Sequence, residues 1–146
     1  MSLICRFILR IKWLGSYGTT LDIETSSNYK QGNDEDFGNL IKDMSEGKVG
    51  ALIMYRTNPV YTAASMKFAD ALKKVDVKIS MSTAPDETSA LCDFVCPDNH
   101  YLESWSDSNP RKGHYSLGQP AIAPLFKTRS AMESFIKWTG NNWDAH

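Results

Sequence analysis

Apolar residues recur along this chain with two different periods, and the switch between them divides it into elements. Ile4, Phe7, Ile8, Ile11 and Leu14 fall at helical spacing, which predicts an amphipathic helix over Ile4–Leu14. Residues 15–36 are turn-rich, with one short strand-like piece, "TLDI". A helix is expected to begin near Asp36, whose carboxylate can cap the first turn, and to stop at Gly47. The pattern then becomes a continuous apolar run, "VGALIMY", which predicts a strand over Ala51–Tyr55 of the kind covered on both faces in parallel sheets.

The rest of the chain repeats that alternation. "RTNPVYTAAS" reads as a loop, and Met66, Ala69, Leu72 and Val75 carry helical periodicity over Met66–Val75. "VKISMS" predicts a strand at Lys78–Met81, "DETSALC" one or two helical turns, and "DFVCP" a strand at Phe94–Cys96 that Pro97 stops. An extended "HYSLGQPAIAPLF" precedes a last helix over Ala131–Trp138. Strand–helix–strand–helix–strand at this pitch means parallel βαβ units with right-handed crossovers, hence the α/β class with a mainly parallel sheet. Residues 1–146 read as one domain, with 1–46 as a lead-in segment and helices and 47–140 as the βαβ core.

Composition adds exclusions. The chain has 146 residues, 23% of them charged and 42% hydrophobic, with a net charge of −1. That is the make-up of an ordinary globular domain, and no basic stripe interleaved with aromatics supports nucleic-acid binding. No apolar run reaches the roughly 18 residues that a membrane-spanning helix needs, so direct membrane insertion is not expected. Cys5, Cys92 and Cys96 form no CxxC pair, so a zinc ribbon or iron–sulfur cluster is not expected from this chain alone. Small buried thiols are the simpler reading.

In parallel sheets ligands bind beyond the carboxyl ends of the strands, which directs attention to Arg56–Tyr61, Ser82–Thr88 and Asp98–Asp107. His100 and Glu103 could share a helical face as metal ligands, but Asp98 or His114 would have to complete the set. A hydrolase would need an oriented nucleophile; GxSxG is absent, and a Cys92–His100 pair would require a buried thiol to reach a loop imidazole. For a nucleotide, both GxGxxG and the Walker A pattern are missing, leaving helix N-termini with Thr57, Asn58, Thr83 and Thr88 as partners. Glu87-Thr88 serves equally as a plain helix cap. Tyr101, Trp105 and Tyr115 could stack on a ring or simply cover the sheet edge.

These motifs in this order carry a resemblance. "ALIMYRTNPVY" followed by "FADALKKVDVKISMSTAPDETSALCDFVCPDNHYLESW" resembles the third domain of molybdopterin oxidoreductases of the dimethyl-sulfoxide-reductase superfamily. The resemblance covers roughly Gly47–Lys127 and rests on Asn58-Pro59, Asp86-Glu87-Thr88, Asp93-Phe94-Val95-Cys96-Pro97 and Glu103. The continuation "HYLESWSDSNPRKGHYSLGQPAIAPLFKTRSAMESF" is similar to one branch, the molybdopterin-like iron–sulfur subunit of alternative complex III, a quinol-oxidising respiratory complex. The resemblance implies a Rossmann-like three-layer sandwich cut from a much longer oxidoreductase subunit. It implies sister domains and membrane-complex subunits as partners, iron–sulfur clusters in other domains, and a parent on the periplasmic face of the inner membrane.

It also implies a cofactor-side loop, with Asn58, Thr88, Glu103 and Ser106 as the positions that would help hold a molybdopterin guanine dinucleotide in the parent. The chain departs from the family where Gly-Thr typically follows that Glu: here Ser106-Asp107 stands in the place. A carboxylate is unfavourable beside a pyrophosphate. The reading that follows is a domain of an electron-transfer subunit in which the pterin site is degenerate; the alternative is a cofactor-binding domain of an active molybdenum oxidoreductase. Neither makes this stretch catalytic by itself, and neither places a cofactor in the fragment alone. Its exposed apolar surfaces, the helix over Ile4–Leu14 and the loop around Trp105, are expected to pair weakly with a second copy.

Overall fold

A computed structural model describes residues 10–22, 24–29 and 31–140 of the chain. They fall into two compact units: one built from the chain up to Gly32 together with Asp107–Gly118, the other from Asn33–Ser106 together with the chain from Gln119 on.

The larger unit opens with α1 (Asp34–Ser45). The helix begins two residues before Asp36, because Asn33 caps it: its side-chain oxygen accepts from the Glu35 N–H at 3.0 Å. Asp34, Glu35 and Asp36 then lie in the first turn, where carboxylates favour the helix dipole. The stop falls at Gly47 as expected, with φ +72°, a left-handed conformation that glycine adopts without a Cβ clash.

Three short strands follow, β1 (Ala51–Met54), β2 (Val77–Ser80) and β3 (Phe94–Val95), in the order β1-β2-β3 and parallel throughout. Ala51 pairs with Val77 and Ile53 with Ile79, and Ile79 pairs in turn with Phe94. The α/β class and the parallel pairing read from the sequence are thus what the chain adopts. The helix expected over Met66–Val75 is shorter and broken. Pro59 starts a separate turn, α2 (Pro59–Thr62); a 3₁₀ turn covers Ala64–Met66; and α3 is only Phe68–Leu72. The break is Lys67, whose φ of +55° takes the backbone out of the right-handed helix. Periodicity alone does not report such a reversal.

The core lies on one face of this sheet. Met44 of α1, Met54 of β1 and Phe68, Leu72 and Val75 around α3 are almost fully buried in one cluster. The Phe37 and Phe68 rings stack at 5.9 Å. On the opposite face Ile53 and Phe94, the two register partners of Ile79, stay 43% and 58% exposed, so the apolar run 51–54 is not covered on both sides among the described residues. The reason is local: the connections α2–α3 and α1 both lie over the Met54 face. The last helix, α4 (Ala131–Trp138), matches the expected span and is capped by Ser130, whose oxygen accepts from the Glu133 N–H at 3.2 Å.

The smaller unit holds, from Asp107 on, a hairpin of β4 (Ser106–Arg111) and β5 (His114–Gly118), turning at Gly113 with φ +79°. Ser27 bridges antiparallel to Arg111, and the Asn28 N–H donates to the Pro110 carbonyl, so the turn-rich lead-in lies along the hairpin. Residues 10–13 are helical; the rest of the expected Ile4–Leu14 helix, with Cys5, lies outside the described residues.

Candidate functional site

Parallel strands that end together leave a crevice above their carboxyl ends, and here one of about 490 Å³ opens there. Its walls come from the three loops that follow β1, β2 and β3: Arg56–Asn58, Met81–Asp86 and Asn99–Tyr101. This is the size range of small-molecule sites.

The first wall begins with Arg56, which leaves β1 with φ +51°, the left-handed region where a side chain costs strain. Its guanidinium lies over the Tyr55 ring at 4.9 Å and reaches the Asp98 carboxylate at 3.2 Å. Asp98 is buried to 3% of its side-chain surface and accepts further from the Asn99 N–H at 2.9 Å and the Ala131 N–H at 2.8 Å. Burial, and after it the Asp98 charge, push the Tyr55 phenol above its ordinary pKa.

Asn58, which closes this wall, meets Thr88. The Thr88 hydroxyl donates to the Asn58 side-chain oxygen at 2.6 Å and accepts from the Val60 N–H at 3.1 Å. The Asn58 amide nitrogen donates to Glu87 at 2.7 Å, and that bond is the main reason the Glu87 carboxyl titrates below its usual range. Thr88 has no exposed surface. Asp86, in the second wall, accepts from the Ser82 hydroxyl at 2.6 Å and the Ser89 N–H at 2.6 Å. Burial raises its pKa, but these hydrogen bonds together outweigh it and leave the carboxyl ionised more readily than a free aspartate.

Glu103 is built into the third loop's support. It is nearly buried, and its two oxygens accept from the Leu125 N–H at 2.9 Å and the His100 N–H at 2.8 Å. Those two bonds, Leu125 first, hold its carboxyl below the ordinary value. His100 in turn accepts at Nδ1 from the Leu102 N–H at 3.4 Å, and its ring leans on Tyr101 with centroids 4.3 Å apart. No group of three or more His, Cys, Asp or Glu among the described residues stands close enough to hold a metal ion.

Of the four positions singled out in the sequence, the crevice is lined by Asn58. Thr88 and Glu103 lie behind its walls, and Ser106 is the exposed first residue of β4. Asp107 follows it as the first residue of the other unit's second stretch. The pair that sequence reasoning passed over is Arg56–Asp98. Both flank the expected strand ends, but a positive φ and a buried carboxylate leave no mark in a hydropathy pattern. Cys92 and Cys96 are half-buried free thiols; the Cys92 thiol donates to the Thr88 carbonyl at 3.2 Å, and burial first, with Asp93 and Asp86 after it, pushes its pKa up.

No family model matches the chain. It is 37% identical over 95 residues to the menaquinone reductase, molybdopterin-binding-like subunit of Nitratidesulfovibrio vulgaris (strain Hildenborough), covering 62% of this chain and 14% of that protein. It is also 40% identical over 60 residues to a tetrathionate reductase subunit of Archaeoglobus fulgidus, covering 38% of this chain and 5% of that protein. The chain therefore spans a small part of the length of either relative. Both relatives are of the molybdopterin oxidoreductase family, which this chain resembles over that part.

Proposed function

We propose that this chain is part of a molybdopterin-oxidoreductase-like subunit of a quinone-linked respiratory electron-transfer complex, in which it has a structural role and its pterin site is degenerate. The observation that carries the reading is the commitment of the inferred cofactor-side groups to their own chain. Asn58 spends its amide oxygen on Thr88 and its amide nitrogen on Glu87, and both oxygens of Glu103 accept backbone N–H groups. A dinucleotide that displaced Asn58 from Thr88 would leave the buried Thr88 hydroxyl without that acceptor, at about 1–3 kcal/mol. This engagement, together with the Ser106-Asp107 step where the family has Gly-Thr, supports a degenerate pterin site.

The parent's other domains would carry the iron–sulfur clusters and lie against this one, in a complex on the periplasmic face of the inner membrane. The relative from Nitratidesulfovibrio, a molybdopterin-binding-like subunit of a menaquinone reductase, supports the quinone link. No helix among the described residues is long and apolar enough to cross a membrane, so this stretch would reach quinone chemistry through partner subunits.

A second reading keeps the cofactor: the crevice of about 490 Å³ at the strand ends is where a dinucleotide would lie, which favours an active molybdenum oxidoreductase. Pterin and elemental analysis of the full-length parent, purified from its host, separates the two. Absence of pterin and molybdenum with iron retained supports the structural reading. A stoichiometric pterin guanine dinucleotide overturns it.

A further inference from the structure

The smaller unit has no core of its own among the described residues: none of them is buried, and Trp13 and Leu14 stay 88% and 79% exposed. Its charge sets it apart as well. It holds six basic residues against three acidic ones, a net +3, in a chain whose net charge is −1, so the larger unit carries −4. Half of those basic residues, Arg6, Arg10 and Lys12, fall within residues 1–21, where the sequence has no Asp or Glu. Residues 10–13 are helical, and the Leu14 N–H donates to the Arg10 carbonyl at 3.0 Å. Continued over the expected span Ile4–Leu14, that helix would place Ile4, Phe7, Ile8, Ile11 and Leu14 on one face. Successive residues lie about 100° apart around a helix, so Arg10 and Lys12 would flank Ile11 on opposite sides of that face.

We propose that residues 4–14 form a helix that lies in the plane of an anionic lipid surface, its apolar face in the boundary between headgroups and acyl chains and its basic side chains at the phosphates. The span is too short to cross a bilayer, which takes about 20 residues, but long enough to lie on one. Arg10 and Lys12 suit that position because their apolar stems can run along the buried face while their charges stay in the headgroup layer. Charge selects this occupant over a second copy. Two such segments packed face to face would bring basic residues together with no carboxylate between them, whereas an anionic surface meets the apolar face and both its flanks. The inference concerns the smaller unit and does not depend on whether the parent holds a pterin or is linked to quinone.

The test is co-sedimentation of the 146-residue chain with vesicles of phosphatidylcholine containing about 30% phosphatidylglycerol, beside vesicles of phosphatidylcholine alone. The chain is expected to pellet with the first and not with the second, and to be released as salt rises from about 0.1 M to about 0.5 M and screens the headgroup charge. Arg10→Glu with Lys12→Glu, both exposed positions, should weaken binding at least about tenfold, since each basic residue near such a surface adds roughly fivefold. Phe7→Ser with Leu14→Ser should weaken it on both sides of that salt range, because it removes apolar contact rather than charge. Lys67→Glu with Lys73→Glu, the same charge change on the larger unit, should weaken it by less than about threefold. The proposal is overturned by a chain that stays in the supernatant with phosphatidylglycerol vesicles, by equal binding to both vesicle types, or by equal loss in the two charge variants. Two further outcomes overturn it: complete displacement from the vesicles by soluble poly-glutamate, the behaviour of a site for an acidic protein, and a mass increase without vesicles that Phe7→Ser with Leu14→Ser abolishes, the behaviour of a site for a second copy.

Discussion

The Thr88 hydroxyl and the Asn58 side-chain oxygen lie 2.6 Å apart, joining two strand-end loops across 30 residues of sequence. Thr88 is completely buried and also takes the Val60 N–H, so this one hydroxyl fixes the start of α2 against the turn after β2. Truncating Asn58 to Ala strands the Thr88 hydroxyl and frees Glu87. The expected cost is about 1–3 kcal/mol of stability, the range for a buried polar group left without its partner. Urea unfolding of the variant beside the unmutated chain checks it; an unchanged midpoint would show that the pair is incidental.

Glu103 gives the fold an acid-sensitive point. Its folded pKa is depressed by the Leu125 and His100 N–H groups, so the unfolded chain binds more protons in the window between the two values. The stability it contributes is present above the unfolded value of about 4.3 and is lost as pH falls through the lower, folded one. Glu87 and Asp86 are also depressed, the first through Asn58 and the second against burial, through Ser82 and Ser89, so all three act in the same direction. Glu103→Gln is expected to lower stability at neutral pH and to flatten its decline between about pH 5 and 3. Thermal melts across that range decide it; parallel curves for the two proteins would refute the assignment.

Much of the fold could be read from residues whose role is set within one element. The "ALIMY" run marked β1, the Gly47 stop ended α1, and the last helix was expected over Ala131–Trp138, where α4 forms. Missed features depend on partners far away. Lys67 breaks the expected helix by a backbone reversal, and the open face of Ile53 and Phe94 depends on where the crossovers lie. The candidate site divides in the same manner. Its location at the strand ends follows from topology, so the three loops were identifiable. The engagement of Asn58 with Glu87 and Thr88, and of Glu103 with Leu125, arises only on folding. Motif resemblance names such residues as ligand contacts without showing that their atoms are already engaged.

Cys92 provides a chemical readout of the same loop. Burial, then the Asp93 and Asp86 carboxylates, raise its pKa, and its Sγ is bonded to the Thr88 carbonyl. Since the thiolate is the reacting form, alkylation by iodoacetamide at pH 8 is expected to be slower at Cys92 than at a solvent-exposed thiol, and to accelerate only above the ordinary range near about 8.5. Peptide mass spectrometry over a pH series measures this directly. In Asn58→Ala the rate should rise, because the loop that shields the thiol is loosened; a rate at Cys92 equal to that of free cysteine in the unmutated chain would contradict the burial argument.

The apolar surface is expected to behave differently at different places. Phe68→Ala should cost about 3–5 kcal/mol, as for a fully buried ring whose removal leaves a cavity, since Phe68 is 1% exposed. Phe94→Ser, on the open sheet face, should stay within about 0.5 kcal/mol in this chain because the ring is already 58% exposed. Trp105 is the more informative position for association. It is 64% exposed in the larger unit, as are Tyr101 at 64%, Leu125 at 73% and Phe126 at 75%. An apolar loop left this open in isolation should self-associate weakly at high concentration, and Trp105→Ser should reduce that association without lowering the unfolding midpoint. Sedimentation velocity over a concentration series reads the first effect and urea unfolding the second. A weight-average mass that stays at the monomer value throughout, for both proteins, would show that this surface needs no cover in the isolated chain.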